Sequence, residues 1–79
     1  MSAAYLMRQA KLPSHIRWLG GSIIDTQENG VTVAHGILTN DPRSYLEKRC
    51  YAPVACESED DVDYAIAAAI DRLTAESGV

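Results

Sequence analysis

The chain predicts an α+β fold: a three-stranded antiparallel sheet packed by a C-terminal amphipathic helix, with a short N-terminal helix. Three observations carry this. Val62, Ile66, Ala69, Ile70 and Leu73 fall at i, i+4, i+7, i+8 and i+11, the stripe of a helix with one buried face. Asn29-Gly30 sits between β-branched runs, and both residues tolerate positive φ, so a hairpin turns there. Tyr51 to Glu57 is a short apolar run interrupted by Pro53, which lacks an N–H and suits an edge strand. With 79 residues, the chain is read as one small α+β domain over 1–79.

The elements follow in order. Ser2 caps a helix over Ala3 to Lys11 with Leu6, Met7 and Ala10 as its apolar stripe, and Pro13 ends it. This element is weak by itself and is expected to fray or to dock only on a partner. His15 to Thr26 reads as a strand in which Ile16 and Trp18 share a parity that Ile23 breaks. Gly20-Gly21 lies between the two halves, so a bulge or bend there resets the inward face. Val31 to Leu38 is the return strand, where Val31, Val33 and Ile37 alternate with Thr32, Ala34 and Gly36, and His35 shares the Val/Ile parity.

Asp41 with Pro42 at the next position suits a helical turn over Pro42 to Lys48. Ser58 caps the final helix with Asp61 in the place of a reciprocal capping partner, and Gly78 stops it. One sheet face stays open, and in so small a domain that face or the edge strand is a partner or dimer surface.

Apolar residues make up 47% of the chain, enough for a core, but there is no Phe and one Trp, so the core is aliphatic and leaves little room for a deep ligand cavity. The longest apolar run, Ala65 to Ile70, is far below the roughly 20 residues of a membrane span. Met1 to Lys11 has no secretory h-region, and a cytoplasmic location is expected. Cys50 and Cys56 are separated by six extended steps, about 20 Å, whereas a disulfide needs Cα atoms within about 7 Å. Both are read as reduced and buried.

Charge is divided unevenly. From Cys50 onward, seven acids (Glu57, Glu59, Asp60, Asp61, Asp63, Asp71, Glu76) face Arg72 alone, while residues 1–49 hold six bases and four acids. The formal net charge is −4 and the pI about 4.9. An acidic chain repels phosphates, which argues against direct nucleic-acid binding. His15, His35, Cys50 and Cys56 match no zinc spacing, so neither a metal nor any other cofactor is expected, though a small metal module through these four is an alternative. Nothing sets a base beside either thiol, and Gly20-Gly21-Ser22 lacks the lysine and the strand-to-helix turn of a phosphate loop. No catalytic residues are assigned.

The acidic start of the last helix is the sharper lead. Acids enrich first helical turns for dipole reasons alone, at about 0.3–1 kcal/mol each. Beyond that, Glu59, Asp60 and Asp63 on one outer face present negative charge to a basic groove much as phosphates would. Arg43, Lys48 and Arg49 are read as a second contact at the exposed edge.

The Glu28-Asn29-Gly30 hairpin, the element order, the size and the acidic helix from Ser58 to Leu73 resemble the small phage-encoded inhibitors of the anti-CRISPR type. The resemblance implies a non-enzymatic inhibitor that occludes a nucleic-acid-binding surface of a CRISPR surveillance complex. The run from Val54 to Ser58 followed by Asp60 to Leu73 is similar to HicB-type antitoxins. The helix–strand order also resembles a double-stranded-RNA-binding domain, but acids replace that family's lysine-rich helix start. The reading is a protein that binds another protein or complex with a basic nucleic-acid-binding surface. A homodimeric regulatory or structural module, or a HicB-like antitoxin, is the alternative.

Overall fold

Ser2 is extended, and its Oγ accepts the Tyr5 N–H at 3.1 Å, which starts α1 (Ala3–Gln9). The computed structural model describes residues 2–41 and 50–77. α1 ends at Ala10, whose backbone turns extended, two residues sooner than the sequence predicts. The expectation that this helix frays or docks only on a partner is overturned. Ala3, Ala4 and Met7 are buried in the protein's own core, Met7 completely. The Trp18 indole N–H donates to the Met7 carbonyl at 2.9 Å, beside the Ala10 N–H that closes the helix end on the same oxygen at 3.3 Å.

The sheet is three strands wide. β3 (Val31–Thr39) is its centre. β4 (Tyr51–Cys56) runs antiparallel along one side, pairing Ala34 with Cys56 through Thr39 with Tyr51. β1 (Arg17–Trp18) and β2 (Ile24–Glu28) also pair antiparallel with β3. Leu38 pairs with both Trp18 and Ala52, and His35 with both Ile24 and Ala55. A residue has two sides only, so β1 and β2 share the margin opposite β4. They are the two halves of the strand expected over His15 to Thr26.

The break lies where the glycine pair sits. Ser22 N–H bonds back to the Leu19 carbonyl at 3.1 Å, and Gly21 has φ +75°, the geometry of a tight turn that favours glycine. Leu19 N–H still reaches the Ile37 carbonyl at 2.7 Å, but the Ile37 N–H finds Ser22 Oγ, at 3.0 Å, instead of a backbone acceptor. The inward face resets as expected: Ile16 and Trp18 pack into the core before the turn, Ile23 after it, and Ile24 is exposed on the other face.

At the hairpin, Asn29 (φ 55°) and Gly30 (φ 80°) form a two-residue turn between Glu28 and Val31. Both positive φ values match the twist of the flanking strands.

Alternation along β3 divides two faces. Ala34, Gly36 and Leu38 join Ala52, Val54 and Cys56 against the helices, while Val31, Val33, His35 and Ile37 lie on the opposite face. The small parity is the covered one, and Gly36 shows why. A Cβ there would stand 2.6 Å from Trp18 Cζ3 and 3.0 Å from Met7 Cε.

α2 (Val62–Ser77) lies over the same face, with Val62, Ile66, Ala69 and Leu73 buried and Ile70 half-buried, the stripe read from the sequence. Ser58 Oγ accepts the Asp60 N–H at 3.2 Å, but the first turn it caps is a short 3₁₀ turn, Glu59–Asp61. Cys56 is buried. Cys50 is only half-buried, contrary to expectation, because it precedes β4, and its carbonyl serves Thr39 Oγ1 (2.8 Å) and Asn40 N–H (3.1 Å). The helical turn expected over Pro42 to Lys48 and the stop at Gly78 lie outside the described residues.

Two substitutions check this packing by chemical denaturation. Gly36→Ala places a methyl against the rigid indole and is expected to cost about 1–3 kcal/mol. Leu73→Ala empties a fully enclosed position and is expected to cost about 2–5 kcal/mol.

Candidate functional site

The predicted acidic residues are brought together. Glu59 and Asp60 lie on the 3₁₀ turn and Asp63 in the first turn of α2, all exposed, held by the Ser58 cap and by the Asp61 N–H bond to the Ser58 carbonyl (3.1 Å). Asp71 is exposed further along the helix. Arg43, Lys48 and Arg49 lie outside the described residues. Asp61, with Glu57, lines a groove beside the sheet.

That groove, of about 1210 Å³, is wide and open to solvent. One wall is a flank of α2 offset from its buried stripe: Tyr64, Ala65, Ala68 and Arg72. The other is β4 from Pro53 to Cys56, with Ile37 and His35 of the open sheet face beyond it. Arg72 Nη2 donates to the Pro53 carbonyl at 2.8 Å across one end. Tyr64 is 79% exposed, unusually bare for an aromatic in so small a domain. This groove was not expected from the sequence. Its signal was present in Ala65 and Ala68, small residues on the helix one step round from the Val62–Leu73 stripe.

A second cluster was also missed. On the open face, His35 Nε2 lies 2.8 Å from Glu28 Oε2 and 3.0 Å from Thr26 Oγ1, and Thr26 Oγ1 lies 2.8 Å from the same carboxylate oxygen. An ionised carboxylate only accepts, so Nε2 carries a proton and donates to it, and the threonine hydroxyl donates as well. The His35 bond first, and the Thr26 bond second, hold the Glu28 carboxyl below its ordinary range. The three residues meet because Glu28, Thr26 and His35 share one face across the β2–β3 ladder. Both contacts reach the same imidazole nitrogen, so nothing orients the ring as the base of a nucleophile relay requires.

Cys56 Sγ lies 2.9 Å from the Ser58 carbonyl. Burial, with Asp61 and Glu57 nearby, pushes its thiol up and away from the reactive thiolate. Among the described residues, no group of three His, Cys, Asp or Glu side chains is placed to hold a metal, and no helix is long and apolar enough to cross a membrane. Comparison of the chain with protein-family models, curated proteins and solved structures gave no match.

The Glu28 cluster has a pH signature. A depressed carboxyl favours the folded state above the usual glutamate range, and that contribution is lost as pH falls through the lowered value. NMR titration of the side-chain carboxyls is expected to place Glu28 below the ordinary glutamate range. His35→Leu is expected to raise it toward that range, with the Thr26 bond remaining; an unmoved midpoint would show that His35 is not the main cause.

Proposed function

We propose that this protein is a non-enzymatic, cytoplasmic binding protein that inhibits a nucleic-acid-handling complex by occupying a basic surface of it, in the manner of the phage-encoded inhibitors it resembles. The observation that carries this reading is the position of Glu59, Asp60 and Asp63: exposed together on a capped helix start that fixes their spacing. Charge held on a rigid element meets a cationic channel with little ordering cost, and steers encounter from a distance. Arg43, Lys48 and Arg49 are assigned to the same contact as a second, basic patch. Homodimerisation is the second reading. It is favoured by the open sheet face, on which Ile24 is 51% and Val31 43% exposed.

Reversing Asp60 and Asp63 to Lys tests the first reading. The double variant is expected to keep its fold, losing at most about 1–2 kcal/mol of stability from the helix start. Binding to a partner captured from host lysate and then purified is expected to weaken at least about tenfold by calorimetry. Unchanged affinity removes the acidic start from the interface. A concentration-independent dimer that tolerates the reversal selects the second reading.

A further inference from the structure

We propose that the cleft between the outer margin of β4 and the Tyr64–Arg72 flank of α2 receives an extended peptide segment of a partner protein, which adds a strand at Ala55 and brings a basic side chain to Glu57 and Asp61. This surface is distinct from Glu59, Asp60 and Asp63 and stands without the reading above.

Backbone direction supplies the first part of the case. The Ile37 N–H goes to Ser22 Oγ and its carbonyl receives the Leu19 N–H, so both groups of Ile37 turn toward β1 and β2. His35, two residues earlier, turns the same way, toward Ile24. On the β4 side, the Ile37–Pro53 and His35–Ala55 pairs are therefore the non-hydrogen-bonded ones, and the Pro53 carbonyl and both backbone groups of Ala55 point outward. Arg72 already takes the Pro53 carbonyl, in keeping with that direction. Ala55 is exposed, and among the described residues nothing meets its outward N–H and carbonyl. A paired donor and acceptor on a sheet margin is the template that strand addition uses.

The walls supply the second part. Ala65 and Ala68 leave room beside the strand for alternate side chains of a bound segment, and Tyr64 offers an aromatic face above them. Glu57 and Asp61 make one end acidic, while the groove's own cation, Arg72, is engaged with Pro53 at the other. A segment with alternating apolar and basic residues meets both demands. A second copy of this chain does not: antiparallel pairing about Ala55 would set each copy's Pro53, which has no N–H, opposite the other's Glu57, with acids crowded into one cleft.

The test titrates the isotope-labelled full chain with two capped hexapeptides, Lys-Val-Lys-Val-Thr-Val and Glu-Val-Glu-Val-Thr-Val, and follows backbone amides by NMR. Saturable shifts are expected at Ala55, Glu57, Tyr64 and Ala68, with the lysine peptide binding roughly tenfold tighter. Ala55→Pro deletes only the outward N–H, which an edge strand tolerates. It is expected to abolish the shifts while helicity and melting stay near those of the parent. Ala68→Arg, which fills the cleft from the helix side, is expected to do the same. Asp60→Lys with Asp63→Lys is expected to leave peptide binding unaffected, so failure of either reading is seen separately. The proposal is overturned by no saturable shift with either peptide, by shifts confined to β1, β2 or the open face, by full binding in Ala55→Pro, or by concentration-dependent dimerisation through the cleft.

Discussion

The contact of the Trp18 indole with Gly36 governs how the rest of the protein assembles. β3 is paired on both margins and so cannot shift, and its only glycine lies beneath the indole ring. Because nothing projects from that position, Trp18 lies flat enough for its N–H to reach the carbonyl of Met7, and Met7 in turn fills the remaining space. A seven-residue helix that would be marginal in water is thereby fixed to the sheet. The same small parity, Ala34 with Gly36, opposes the buried stripe of α2, so both helices share one face and the other face is left open. Packing in such an aliphatic core depends on close approach more than on bulk.

Much of the fold was legible because it rests on local rules. The Asn29-Gly30 turn, the edge position of the Pro53 strand and the Val62–Leu73 stripe each follow from dihedral preference or periodicity, and each is present. The glycine pair was legible too, down to the change of inward parity between Trp18 and Ile23. The fate of α1 was not. Its propensity is poor, and what holds it is a tertiary bond from Trp18, eleven residues away, which no local pattern encodes. The choice of covered face was equally hidden: Val31, Val33 and Ile37 look like the more apolar parity, yet contact distance favours the smaller one.

The candidate site was legible in part. Acids gathered near Ser58 are visible in one dimension, and Glu59, Asp60 and Asp63 do share an exposed region. That Asp61, on the 3₁₀ turn preceding α2, joins Glu57 at the groove is a matter of three-dimensional placement. The Glu28–His35–Thr26 cluster depends on register, since Ile24 opposite His35 sets Thr26 and Glu28 within reach of the imidazole. Histidine 35 alone, read in sequence, is a lone polar residue on an apolar parity.

The turn at Gly20-Gly21 also limits what the protein can build. Fibrils and other open-ended arrays grow by sheet stacking edge to edge, and each unit must offer two receptive sides. Here one side is broken where a hydroxyl replaces a peptide group, and its longer half carries Asp25 and Glu28. Open-ended growth through that side would need the hydroxyl to give way to a peptide partner, so the turn works against edge-to-edge extension.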